Sequence, residues 1–156
     1  MMFKIPTVKA HCDIPCKIYD PAVAQVAAVS IVRLMDLIAE VGSADQVPEI
    51  TKIARLVAQK ESNAAEVKHE VVTIWGDYFK APQIAEFPNV HSLAHSIMIA
   101  ASKCKQGNNR QDGLDLLAKL NEFTEMFWHS KGINTRKVIS PYPPSLDVVQ
   151  PVLTNA

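Results

Sequence analysis

Two rows of apolar residues, spaced alternately three and four apart, constrain this chain more than any other feature. Ala64, Val67, Val71, Ile74 and Tyr78 form one row; Leu116, Leu120, Phe123 and Phe127 form the other. That rhythm puts each row on a single stripe of an α-helix, as at a helix-bundle seam. A strand through VVTIW is disfavoured because the seam runs through it without a turn residue. The first row therefore predicts a long helix from near Val47 or Pro48 to Phe79, with Glu61, Glu66, Lys68 and Glu70 on its polar face. The second predicts a helix starting at Gly113 or Leu114.

Two more helices complete the pattern. Asp20-Pro21 reads as an acidic N-cap followed by proline at the first helical position. The segment after it, rich in alanine and valine, places Val26, Val29 or Ser30, Arg33 or Leu34, and Leu37 at helical spacing. Its apolar residues spill past one stripe, which suits a central helix or one covered by a second subunit. Gly42-Ser43 closes it. After the proline-broken KAPQIAEFPN, Asn89 caps a further helix, VHSLAHSIMIAASK, ended by QGNNRQDG. The last stretch, 132–156, has four prolines and no sustained period. It is expected to drape over the bundle or a neighbouring subunit through Ile139, Tyr142, Val148 and Val149. The prediction is an all-α, up-and-down four-helix bundle with an irregular C-terminal tail.

Composition narrows the function. The 156 residues suit one domain with one core, and 48% apolar content builds that core without disulfides. Sixteen Lys and Arg balance sixteen Asp and Glu, and the basic residues are scattered, so a nucleic-acid partner is not expected. No apolar run approaches the roughly 18–20 residues of a membrane span, and no membrane role is expected. The leader MMFKIPTVKA lacks the apolar stretch of a secretory signal. Val8 and Ala10 are nonetheless small residues, three and one before His11, as a leader peptidase tolerates. Cytoplasmic residence is the default. Three cysteines make no disulfide framework; in a reducing compartment the close pair Cys12 and Cys16 suits metal or redox chemistry. Cys104 reads as a half-buried helix residue.

The chemistry concentrates in HCDIPCKIYDP, His11 to Pro21. Two thiols three residues apart can converge on one ion if the chain bends, and Pro15 favours a bend while restricting Ile14. Thiolates favour zinc, copper(I), iron–sulfur or nickel over hard ions. His11 sits beside Cys12, and neighbouring side chains in extended backbone point apart, so a tetrahedral site is awkward. His91 and His95, four apart on one helix, offer a second ligand pair for a zinc site. A cut between Ala10 and His11 changes the geometry. The His11 amine, the Cys12 amide nitrogen and both thiolates can then share a plane, leaving the imidazole above it. Planar N2S2 donors suit nickel(II) or copper(II) rather than zinc. Plainer readings stand beside these. Asp20 serves as a cap, Tyr19 as an aromatic anchor, Lys80 as a charge near a helix C-terminus, and Trp75 and Trp128 as bulk. His69, His91 and His95 read as surface residues.

HCDIPCKIYDPA resembles the nickel hook of the nickel-dependent superoxide dismutases, which reads His-Cys-Asp-x-Pro-Cys-x-x-Tyr-Asp-Pro. IWGDYFKAP at 74–82 and MFWHSK at 126–131 are similar to further blocks of that family, so the likeness covers 11–131. It implies a leader removed by a maturation peptidase after Ala10, a homohexamer of four-helix subunits, and superoxide as substrate. It implies nickel held by His11, Cys12 and Cys16, cycling between Ni(III) and Ni(II). Asp13 and Pro15 would shape the hook, Tyr19 would stand over the open face of the ion, and Asp77 and Tyr78 would support it. Lys80 would attract the anion. Family members place a glutamate on the first helix and an arginine from another subunit around the axial histidine; this chain has Ala27 and Asn63 at those positions. The rivals are a nickel- or copper-binding protein of the same fold without fast turnover and, more distantly, a thiol redox bundle protein.

Overall fold

A computed structural model describes residues 17–43 and 45–153. Helix α1 (Ala22–Val41) is followed by α2 (Val47–Thr73), which passes into a π-helical turn over Ile74–Tyr78. A short helix α3 (Ala81–Glu86) leads to α4 (Val90–Gln106) and α5 (Arg110–His129), and strands β1 (Thr135–Ile139) and β2 (Asp147–Pro151) end the described chain. Helix α1 packs on α2 and α5, and α4 packs on the same two, closing an up-and-down bundle of four long helices.

The Asp20-Pro21 start is used one residue later than its sequence suggests. Asp20 Oδ1 accepts from the Ala22 amide at 2.9 Å, and the Pro21 carbonyl accepts the first helical bond from Gln25 at 3.1 Å. Helix α1 ends at Gly42, whose φ of +67° suits glycine. Its buried stripe is Ala24, Ala28, Ile31 and Met35 with Val29 and Val32 beside it, whereas Val26 is exposed. The predicted stripe through Val26 and Leu37 was out of phase, because Ala and Val occur all round this helix and leave periodicity little to choose between. By length and composition α1 is also apolar enough to cross a membrane, contrary to the expectation of no such segment. Here one face of it is buried against α2 and α5.

Along α2, Ala64, Val67, Val71 and Ile74 are buried as predicted. The seam then slips by one residue. In the π-turn the Phe79 amide donates to the Ile74 carbonyl five residues back, at 3.3 Å. Phe79 therefore takes the core position, 3% exposed, and Tyr78 swings to the bundle's edge. Leu116, Leu120, Phe123 and Phe127 are completely buried. Their helix starts at Arg110, not Gly113, with Asn109 Oδ1 capping the Gln111 amide at 3.1 Å. Gly113 lies within α5 against α1: a Cβ there would come to 2.8 Å from Val32 Cγ2. The connection expected after Lys80 is partly helical, and the tail expected to be irregular forms an antiparallel hairpin pairing Lys137 with Val149. Val148 and Val149 bury against the bundle, while Ile139 and Tyr142 stay exposed.

Candidate metal centre

His11, Cys12, Asp13, Pro15 and Cys16 lie outside the described residues. The described chain begins at Lys17, whose φ of +59° is left-handed, a sharp change of direction next to Cys16. Among the described residues no group of three His, Cys, Asp or Glu side chains is arranged to hold a metal ion.

Two residues from that turn, Tyr19 meets Tyr78, their ring centroids 6.0 Å apart and tilted 56°. The π-turn makes this meeting possible by turning Tyr78 out of the core. Tyr78 in turn packs edge-on against Phe127 at 4.8 Å and Phe79 at 5.2 Å, which fixes its ring. Its hydroxyl lies 2.7 Å from Ser130 Oγ, and Ser130 donates its own proton to the Phe127 carbonyl at 2.7 Å. A serine hydroxyl has one proton, so Tyr78 Oη must be the donor in the first bond. The lone pairs of Tyr78 Oη are left for other donors. Lys131 Nζ stands 4.7 Å from the Tyr78 ring centroid and 5.0 Å from that of Phe127, within cation–π range. Ser130 and Lys131 were not singled out from sequence, although both lie within MFWHSK.

Lys80 is exposed, and its ammonium donates to the Gly76 carbonyl at 2.7 Å, tying down the π-turn. Asp77 is exposed on the same turn. Ala27 and Asn63 are both buried and line one cleft with Ser30 and Glu66. The possible second ligand pair is on the surface: His91 and His95 are exposed, and His91 Nδ1 accepts from Trp75 Nε1 at 2.9 Å.

The strongest perturbations of ionisable groups lie away from the tyrosines, where α4 ends. Lys60 is 2% exposed. Its ammonium donates to the carbonyls of Cys104, at 2.7 Å, and of Gly107, answering groups the helix end leaves unpaired. Burial lowers its pKa, with Cys104 and Glu61 opposing. Cys104, fully buried rather than half-buried, is raised from 9.0 to about 11 by burial first and by Asp112 second.

Comparison with known proteins places this arrangement. Residues 6–131 match the family model for nickel-containing superoxide dismutase. The nickel superoxide dismutase of Streptomyces coelicolor is 34% identical over 125 residues, covering 80% of this chain and 91% of that protein. Its counterpart from Streptomyces seoulensis is 32% identical over 124 residues, with 80% and 90% covered. Among solved structures, native nickel superoxide dismutase superposes with a TM-score of 0.69 at 32% identity, covering 78% of this chain and 99% of that one. A form with nickel ligation corresponding to the oxidised state gives 0.70 at 30% identity, with the same coverage. The match runs through the hook, the Tyr78 turn and the end of α5, and this chain belongs to the nickel-containing superoxide dismutase family.

Proposed function

We infer that this protein dismutes superoxide, turning two superoxide anions and two protons into oxygen and hydrogen peroxide. The carrying observation is a family match that spans the hook with every fixed position of HCDIPCKIYDP present. The donors fit the metal: an amine, an amide nitrogen and two thiolates suit nickel(II), and their negative charge would favour a higher oxidation state. His11 would supply the amine and an imidazole, Cys12 a thiolate and its amide, and Cys16 the second thiolate. Nickel, when bound, supplies the one-electron couple that alternate superoxide anions reduce and oxidise.

The remaining tasks fall to side chains. Asp13 and Pro15 would shape the hook. Tyr19 would stand over its open face, limiting what reaches the ion and ordering water. Tyr78 holds Tyr19 by ring contact, and its own proton is committed to Ser130, so it accepts rather than donates toward that water. Lys80 and Lys131 place positive charge at the rim, which raises the local concentration of an anionic substrate.

The site requires a free amine on His11, hence a peptidase that cuts after Ala10. A cytoplasmic homohexamer is part of the same proposal, and sedimentation of the loaded protein tests its size. Chain beginning at His11 and loaded with nickel should consume superoxide rapidly, whereas His11→Gln and chain retaining residues 1–10 should not. No dismutation by the processed, loaded form would overturn the enzyme reading. A second reading, a nickel- or copper-binding relative without fast turnover, is favoured by Ala27 and Asn63. These line one cleft, where Glu66 is the only carboxylate among the described residues, and loss of a ligand histidine's support commonly costs about 10–100-fold. Tight nickel binding without dismutation would decide for it.

A further inference from the structure

The hairpin lies beyond the family match, which ends at Lys131, yet a buried polar chain ties it to the start of α1. Gln25, in the first turn of α1, donates from Nε2 to Asn121 Oδ1 on α5 at 2.8 Å. The same Oδ1 accepts from the Val149 amide of β2 at 3.3 Å, and Asn121 Nδ2 donates to the Asp147 carbonyl at 2.9 Å. Gln25 is 5% exposed and Asn121 8%. Such a network is costly unless every member is satisfied, and here one bond links α1 to α5 and two link α5 to β2. Three elements are thereby held at one point, six residues after Tyr19.

A second route runs through aromatic rings. The hairpin and α1 enclose a cleft of about 330 Å3 with Asp20, Trp128, Val148 and Val149 among its walls. Trp128 packs on Phe127 at 5.0 Å, Phe127 on Tyr78 at 4.8 Å, and Tyr78 on Tyr19 at 6.0 Å. The segment between hook and helix is thus flanked by two supports, the network behind the first turn of α1 and the rings beneath Tyr19.

We propose that the C-terminal hairpin is a clamp on the first turn of α1, and that Gln25 and Asn121 are positioning residues for the hook. Resting on the hook as a nickel site, this gives residues 132–153 a role that the shared fold does not supply. The clamp limits how far Lys17–Pro21 can swing, and thereby how easily the ligands leave a bound ion.

Gln25→Met tests it, since it cuts α1 from the network while leaving Asn121 bonded to both hairpin positions. Gln25→Asn, too short to reach Asn121, serves if the methionine variant yields too little folded protein. In full-length processed protein loaded with nickel, either variant should release nickel to a chelator about tenfold faster than the parent. In metal-free protein, amide exchange over 17–29 should quicken about tenfold while 135–151 exchanges at the parent's rate. Release within twofold of the parent from a folded variant would overturn the proposal. So would exchange that quickens equally across the chain, the mark of a mere stability loss. Should the parent hold no nickel, the hook reading fails alone, and the metal-free exchange still decides on the clamp.

Discussion

The hairpin of α4 and α5 ends in two different ways. Where α4 stops, the Cys104 and Gly107 carbonyls close around the Lys60 ammonium, which is almost wholly removed from water. Where α5 stops, Ser130 donates to the Phe127 carbonyl and accepts from the Tyr78 hydroxyl, and Lys131 rests outside, over two ring faces. A sealed charge loses its hydration and can serve only the carbonyls around it. A charge left at the rim gives up little hydration and can still act on an anion in solution. Burial makes one lysine an anchor and leaves the other available for chemistry.

Lys60→Met should break the anchored end most visibly. It leaves the buried Cys104 carbonyl and the part-buried Gly107 carbonyl without their donor, at about 1–3 kcal/mol for a buried group, so a loss of about 3 kcal/mol is expected in urea unfolding, with the slope unchanged. Dismutation by the folded fraction should stay within twofold. A loss below about 1 kcal/mol would mean that water replaces the ammonium and that the two ends are alike.

Cys104 sharpens the same contrast through pH. Its thiol is raised from 9.0 to about 11 in the folded protein, so the folded state keeps a proton that the unfolded state loses. The stability this gives is complete below about pH 9 and disappears as pH rises through about 11. Lys60, lowered by burial, works in the opposite sense, since the unfolded chain then holds the extra proton. Cys104→Ala removes the first effect and, by taking away the thiolate that supports the Lys60 ammonium, leaves the second no smaller. Its stability relative to the parent should therefore climb between pH 9 and 11, and a flat difference would refute the assignment.

Gly113 probes packing near the anchored end. A side chain there meets Val32 Cγ2 at 2.8 Å and Met35 Sδ at 3.3 Å from its first carbon, and overpacking of this kind costs about 1–3 kcal/mol. Gly113→Val should lower the unfolding midpoint accordingly while leaving the Tyr19–Tyr78 contact intact. Altered nickel retention in that variant would mean the two ends are mechanically coupled.

How much of this was legible in sequence depended on how local the signal is. The stripe from Leu116 to Phe127 and the row from Ala64 to Ile74 were readable because i to i+4 spacing is set by neighbours on one helix. The stripe of α1 was not, as small apolar residues occupy every face of it. The slip from Tyr78 to Phe79 needs one extra residue in one turn, below the resolution of a periodic pattern. Lys60 looks like any lysine in a charged run, and only α4, 44 residues away, marks it out. The hairpin was hidden for the same reason: Thr135–Ile139 and Asp147–Pro151 become strands by pairing with each other. HCDIPCKIYDP reads as a set of donors in the sequence, and the resemblance put Tyr19 and Tyr78 beside it, while two further neighbours were not legible. Ser130 and Lys131 acquire their places only when α5 ends beside the π-turn.

At the open end, Tyr78→Phe removes one hydrogen bond and keeps the ring. Stability should fall by about 1 kcal/mol, and Ser130→Ala should cost a similar amount, with the double variant less than additive because they share the bond. Additive losses would show that the bond contributes nothing of its own.

Lys131→Gln is the smallest of these effects on stability and the most direct test of the contrast with Lys60. An exposed cation–π contact contributes about 0.5–1 kcal/mol, so the unfolding midpoint should hardly move. The rate of superoxide consumption should instead fall about two- to threefold at low ionic strength. That deficit should vanish as salt shortens the screening length to well under about 10 Å. Lys80→Gln, whose ammonium is bound to the Gly76 carbonyl, should show the same salt-dependent deficit and beneath it a part that persists in salt, since it also loosens the turn carrying Tyr78. If both variants lose rate in the same salt-dependent way, the two lysines are equivalent attractors. If Lys131→Gln loses stability instead of rate, its ammonium is an anchor like that of Lys60, and the division between the two ends of the bundle fails.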